Sequence, residues 1–329
     1  MNYKAFGRTG IKVSELIFGT WYLPNNTAEG KRIVNKEESI KIIQKAYDLG
    51  INFFDTADVY RGVYERDTSS INFENIGLAE RIVGEALRGY DRESFIISTK
   101  VMGRTGPLQN DMGVNRKHIN HAIKKSLERL QMHYIDFYIL HAPDNITGVE
   151  EAARSMNRLI DQGLIYHYGL SNFSSHELMK FINLDYLESP KFIQDKYNLI
   201  EREQEERNIK VAEENSLASM IYSPLAQGIL AGRYFSKDTD NARANYEKFF
   251  KGNDLLNKNI KALEEFRNLS LNKGVSMAQL SLSWLINKGK FIFPIIGATK
   301  IDQLEDNVKA TEIKITKEEM ETIEKIFKK

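Results

Sequence analysis

Four side chains of this 329-residue sequence have the types and positions to move a proton together: Asp55, Tyr60, Lys100 and His141. Asp55 ends the apolar run Phe53-Phe54, and Tyr60 follows it by five residues. A carboxylate at the end of a buried strand requires a partner, because an unpaired buried charge is expensive. The ammonium of Lys100 supplies one. A cation held there favours the ionised form of a nearby phenol and lowers its pKa. A phenol so tuned exchanges a proton near neutral pH, which an ordinary tyrosine with a pKa of about 10 does poorly. His141 can hydrogen-bond a substrate oxygen and orient it. Together the four would form a proton-donating hole for a carbonyl oxygen on its way to an alkoxide. None is a redox group, so the electron pair must come from a cofactor.

Each residue alone has an ordinary reading. Asp55 could cap a loop, Tyr60 could be a half-buried packing residue, Lys100 a solvated lysine and His141 a satisfied core histidine. His141 with Asp144 could suggest a metal, but no further His or Asp stands with them at ligand spacing. The case rests on their convergence, and that depends on the elements that carry them.

Those elements alternate. Short apolar runs at Leu16–Phe18, Phe53–Asp55, Phe95–Ser98, Ile135–Leu140, Ile165–Leu170, Phe192–Ile193, Ala218–Ile221 and Phe293–Ile296 read as buried strands. Helical periodicity covers 35–49, 76–87, 116–130, 149–162, 175–182, 204–215 and 276–286, and a last helical region begins near Gln303. Eight βα units predict a closed (β/α)8 TIM barrel spanning 1–329 as one domain. An open doubly wound sheet is the competing topology, but no G-x-G-x-x-G is present. Tyr3–Val13, with a turn signal from Gly7 to Gly10, predicts an N-terminal β-hairpin. In such a barrel all strand C-termini share one face, which brings Asp55, Tyr60, Lys100 and His141 together. Two connections, Arg61–Asn75 and Lys237–Leu256, are longer than a barrel needs and suit lids over a site or tolerated surface insertions.

Composition narrows the class. The chain is 42% hydrophobic and 28% charged with a net charge of +1, so general attraction to nucleic acid or acidic membranes is not expected. There is no cysteine, hence no disulfide, thiol catalysis or thiolate metal site. No signal peptide or spanning segment is legible, and a cytoplasmic location is expected.

The motifs Phe54-Asp55-Thr56-Ala57 with Tyr60, Ser98-Thr99-Lys100, Leu140-His141, Gly169-Leu170-Ser171-Asn172-Phe173, Tyr222-Ser223-Pro224-Leu225 and Ile296-Gly297-Ala298-Thr299-Lys300 occur in order from Gly19 to Asn307. In this set the chain resembles the aldo-keto reductases. The resemblance implies a barrel that binds a nicotinamide cofactor, usually NADPH and also NADH, and that transfers hydride to aldehydes and ketones. It implies Tyr60 as general acid, Lys100 and Asp55 as its tuning pair and His141 as the orienter of the carbonyl. It also implies a cofactor site. Ser171, Asn172 and Gln194 would hold the carboxamide, and Tyr222 would stack on the nicotinamide. Gly19, Thr20, Trp21 and Asp55 would border it. Ser223, Pro224, Leu225, Gln227 and Gly228 would line the pyrophosphate path, with Arg233 and Arg243 as phosphate contacts. Gly297, Ala298, Thr299 and Lys300 would meet the 2′-phosphate end, and Gln303, Asp306 and Asn307 the adenosine. Lys300 is the basis for NADPH over NADH, a modest preference because a lysine lacks the fork of an arginine.

Two features depart from the family pattern. Glycine commonly follows the tyrosine, whereas Arg61-Gly62 follows here. The Arg61–Asn75 segment is also long, which bears on the substrate rim, where Trp21, Tyr22 and Tyr64 are expected. Two other functions compete with the reductase: a cofactor-binding regulatory subunit, as in channel-associated relatives that tend to carry Asn where His141 stands, and an unrelated hydrolase using Asp55 and His141. The hydrolase leaves Lys100, Tyr60 and the Gly297–Asn307 cluster without a role.

Overall fold

A computed structural model describes residues 1–28, 31–62, 73–235 and 252–328. Eight parallel strands close into a barrel. In chain order they are β3 (Ile17–Gly19), β6 (Phe53–Asp55), β7 (Ile96–Val101), β8 (Ile135–Leu140), β9 (Ile165–Ser171), β10 (Phe192–Lys196), β11 (Ala218–Tyr222) and β12 (Ile292–Ile296). Closure is the pairing of β12 with β3, Ile295 beside Ile17 and Ile296 beside Phe18. These runs are apolar on both faces because one face fills the barrel and the other meets the helices. Every residue of β6, β8 and β12 is buried.

The helices are α1 (Lys36–Asp48), α2 (Leu78–Ala86), α3 (Arg116–Leu130), α4 (Val149–Asp161), α5 (Ser175–Ile182), α6 (Lys210–Glu214), α7 (Gly252–Lys273), α8 (Met277–Lys288), α9 (Ile301–Val308) and α10 (Lys317–Ile326). Several starts are legible in the sequence. Asn35 and Asn115 accept the amides of Glu38 and His118, and Ser174, Ser276 and Thr316 form reciprocal caps with Glu177, Gln279 and Glu319.

The predicted hairpin forms from β1 (Tyr3–Ala5) and β2 (Lys12–Ser14). It closes the end of the barrel away from the strand C-termini. Phe6 packs there with ring centroids 5.5 Å from Phe53, 4.6 Å from Phe137, 5.3 Å from Phe192 and 5.0 Å from Phe293.

Three elements differ from the sequence expectation. A second antiparallel hairpin, β4 (Asn25–Ala28) with β5 (Lys31–Val34), follows β3, although its polar sequence gives little strand signal. The expected helix over 204–215 is broken: a wide turn at Glu205–Ile209, with Arg207 at φ −117° and ψ −108°, precedes the short α6. Gly252–Lys273 forms the helix α7, for which the sequence reading gives no helix and whose first residues it assigns to the long connection Lys237–Leu256. Residues 63–72 and 236–251, which hold Tyr64, Arg243 and most of both long connections, lie outside the described residues.

Candidate active site

Strand register brings Asp55, Lys100 and His141 together. β6 pairs with β7 so that Asp55 stands opposite Ser98, and β7 pairs with β8 so that Val101 stands opposite Leu140. Asp55, Lys100 and His141 therefore end three neighbouring strands, with Tyr60 in the loop leaving β6.

Lys100 has no solvent exposure and Asp55 only 3%. The Lys100 Nζ donates to Asp55 Oδ2 at 2.7 Å and to the Thr56 carbonyl at 2.6 Å. The other Asp55 oxygen accepts from Ser98 Oγ at 2.7 Å and from Gln194 Nε2 at 3.0 Å. The carboxylate is thus satisfied on both oxygens, as its burial demands. Burial lowers the Lys100 pKa, and the Asp55 charge and hydrogen bond oppose that shift. The ammonium sits 4.6 Å from the centre of the Tyr60 ring. The Tyr60 and His141 rings meet edge to face at 5.7 Å. Burial, and then the charge of Lys100, hold the His141 pKa down to about 3, so its imidazole is neutral at physiological pH. A neutral imidazole and a phenol facing one cleft can each hydrogen-bond a single acceptor oxygen.

That cleft has a volume of about 1390 Å³ and runs across the C-terminal face of the barrel. Tyr60, His141, Trp21, Tyr22 and Val59 line one part. Its floor holds Gly19, Asp55, Ser171, Asn172 and Gln194. Asn172 is at φ 62°, a left-handed conformation that asparagine tolerates better than most residues. Its hydrogen bonds hold it, among them Nδ2 to Ser171 Oγ at 2.9 Å. Its amide donates to Asp195 Oδ1 at 3.1 Å, its Nδ2 donates to the His141 carbonyl at 3.1 Å, and its Oδ1 accepts from the Tyr222 hydroxyl at 2.8 Å.

The far wall is formed by Tyr222, Ser223, Pro224, Leu225, Gln227, Gly228 and Arg233, and the opposite end by Gly297, Ala298, Thr299, Lys300 and Gln303. Thr20 lies beneath the cleft and donates through Oγ1 to the Asp55 carbonyl at 3.1 Å. Asp306 and Asn307 are not part of the cleft wall. The Asp306 carboxylate accepts from Ser276 Oγ at 2.8 Å and Gln279 Nε2 at 2.6 Å, which ties α9 to the start of α8.

Some contributors carry no sequence motif. Ser98 was legible only as a neighbour of Lys100; the signal for its role is the register that sets it against Asp55. Asn198 holds the Ser223 carbonyl through Nδ2 at 3.1 Å, and Lys196 and Glu201 pair at 2.7 Å on the cleft wall. Nothing in local spacing marks these.

The comparison with known proteins agrees with this architecture. The family model described as "Aldo/keto reductase family" matches residues 15–328. The chain belongs to the aldo/keto reductase family. Its relatives include a "Probable voltage-gated potassium channel subunit beta" of Oryza sativa subsp. japonica, 34% identical over 95% of this chain and 92% of the relative. A protein of the same name from Arabidopsis thaliana is 33% identical over the same shares. The "Uncharacterized oxidoreductase YrpG" of Bacillus subtilis (strain 168) is 32% identical over 99% of this chain and 96% of the relative.

Aldo/keto reductases are oxidoreductases that generally use NAD(P)H and act on small carbonyl compounds. The residues of the cleft fit such a cofactor. A Cβ built on Gly297 meets no protein atom nearer than 3.8 Å, so this stretch of cleft wall is open to close approach by a ligand. Gln227 carries a buried Oε1 with no hydrogen-bond partner among the described residues. Lys300 is the N-cap residue of α9, and no side chain caps that helix start, where an anion is favoured. None of the described helices is long and apolar enough to cross a membrane.

Proposed function

We propose that this aldo/keto reductase is an NADPH-dependent carbonyl reductase that converts an aldehyde or ketone to its alcohol, and the reverse. The observation that carries the reading is the buried Asp55–Lys100 pair at 2.7 Å, with its ammonium 4.6 Å from the Tyr60 ring centre at the mouth of the cleft. The nicotinamide supplies the hydride. Tyr60 gives the proton to the carbonyl oxygen as negative charge develops there. Lys100 stabilises the resulting phenolate through its charge, and Asp55 keeps that cation in place. His141, neutral, donates a hydrogen bond that aims the carbonyl oxygen at Tyr60. Ser171, Asn172 and Gln194 hold the carboxamide, and Tyr222 lies against the ring face. Ser223, Pro224, Leu225, Gln227 and Gly228 would line the pyrophosphate, with Arg233 as a phosphate contact. The adenosine end meets Thr299, Lys300 and Gln303, with Asp306 and Asn307 behind them. Lys300 and the α9 N-terminus favour the 2′-phosphate and so NADPH over NADH.

The names of two relatives favour a second reading, an NADPH-binding regulatory subunit with weak or no turnover. A panel of aldehydes and ketones with NADPH separates the two, and Tyr60→Phe tests the mechanism. The expected result is turnover by the wild type and, in Tyr60→Phe, loss of reduction with NADPH fluorescence quenching retained. Binding without turnover across the panel would favour the regulatory reading. Undiminished reduction by Tyr60→Phe would remove Tyr60 as the proton donor.

A further inference from the structure

Behind the Asp55–Lys100 pair lies a second ion pair, its carboxylate buried and its guanidinium partly so, on the outer side of the barrel wall. Glu80 of α2 has no solvent exposure. Its Oε2 accepts from Arg129 Nε of α3 at 2.5 Å, and its Oε1 accepts from Thr99 Oγ1 at 2.6 Å. Thr99 is the residue before Lys100 on β7, so the pair is bonded directly to the strand that carries the ammonium. The fold makes specific room for it. Gly77, at φ +70° before α2, lies under the guanidinium, and a Cβ there would sit 2.2 Å from Arg129 Nε. Only glycine suits both the backbone conformation and the space.

The charge count is set by Asp58, also fully buried. Neither of its oxygens has a hydrogen-bond partner in good geometry among the described residues, and the buried Tyr138 hydroxyl likewise lacks one. Burial first, and then the Glu80 carboxylate, push Asp58 well above the usual carboxylate range, with Arg129, the Val59 amide and Lys100 opposing. Burial thus favours the protonated form of Asp58. The charges acting on Lys100 come from Asp55 of β6, Asp58 of the loop after it and Glu80 of α2, with the Tyr60 ring against the ammonium and His141 in its field; Arg129 of α3 acts on Asp58 and on the buried Tyr138. Two cations, Lys100 and Arg129, face the Asp55 and Glu80 carboxylates, and the exposed Arg81 guanidinium lies beside the second pair.

We propose that the Glu80–Arg129 pair is a positioning pair for Lys100, balancing the buried charge around it and thereby setting how readily Tyr60 releases its proton. The proposal rests on the reading of Tyr60 as proton donor. Removing the Glu80 charge while keeping its shape leaves the cluster one unit more positive, which favours the phenolate. A purely structural pair would change stability but leave the titration where it is.

The test is the pH profile of kcat/KM for NADPH-dependent reduction of 4-nitrobenzaldehyde, with an ultraviolet difference titration of wild type against Tyr60→Phe. That titration identifies the Tyr60 ionisation without turnover, so failure of the proton-donor reading shows there first. Glu80→Gln is expected to move the basic limb to lower pH by about one unit, with the plateau within about threefold of wild type. The double variant Glu80→Gln with Arg129→Met restores neutrality and returns the limb to its wild-type position. Asp58→Asn, neutral like the acid it replaces, leaves the limb unmoved; a downward shift there would overturn the charge count. Should Glu80→Gln fail to fold, Arg129→Met carries the test with the sign reversed. A Tyr60 limb that stays in place in whichever single variant folds overturns the proposal.

Discussion

Lys100 Nζ lies 2.7 Å from Asp55 Oδ2, and both side chains are buried beneath the cleft. The ammonium is thus a captive charge, held by one carboxylate and one carbonyl. Asp55→Asn keeps the shape and removes the counter-charge. Breaking a buried pair on one side costs about 3–5 kcal/mol, unless the lysine sheds its proton. Either outcome weakens the tuning of Tyr60. We expect carbonyl reduction to fall by about a hundredfold or more, measured as kcat/KM, together with a lower urea midpoint. Wild-type activity in this variant would mean that the pair does not serve the phenol.

His141 is held neutral down to a pKa of about 3 by burial and by Lys100. In the unfolded chain a histidine takes its proton near pH 6.5. Between these values the unfolded state binds more protons than the folded one, so His141 lowers stability as pH falls from about 6.5 towards 3. His141→Asn is expected to flatten the pH dependence of urea unfolding in that window. Carbonyl reduction should show no His141 limb between pH 5 and 8, roughly the range in which an ordinary histidine titrates. An acid limb in that range that disappears in His141→Asn would contradict the neutral assignment.

Asp58 works in the opposite direction. Its pKa is raised in the fold, whereas in the unfolded chain it ionises near about 3.9. Above that value the folded state retains a proton that the unfolded state has released, so Asp58 subtracts stability as pH rises. Asp58→Asn is expected to raise the thermal midpoint at neutral pH, with the gain shrinking towards pH 4. A loss at neutral pH would show that the carboxyl is ionised and paired.

Lys300 stands at the N-terminus of α9 on the cleft wall. If it reads the 2′-phosphate, Lys300→Ala weakens NADPH by roughly tenfold, about the contribution of one charged hydrogen bond, while NADH binding changes little. Titrations of both cofactors by fluorescence measure this. Equal losses for the two would place the ammonium elsewhere on the cofactor.

The alternation of buried strands and helices was legible because parallel barrel strands are apolar on both faces and helix caps leave side-chain signatures. Asp55, Lys100 and His141 were legible because each interrupts or ends such a strand. The β4–β5 hairpin was not, since its polar residues carry no alternating pattern. Neither was the break at Arg207, which is a backbone conformation and not a composition.

The sequence by itself determined the βα order, the polar residues at the strand ends, and the family to which they belong. Only the tertiary structure decided how charges compensate one another. Glu80 and Arg129 are 49 residues apart, and Asp55 and Gln194 are 139 apart. Neither pair has a local signal, because a salt bridge or hydrogen bond depends on distance in space and on exclusion of water. Both conditions exist only once the strands have closed and the helices have packed against them.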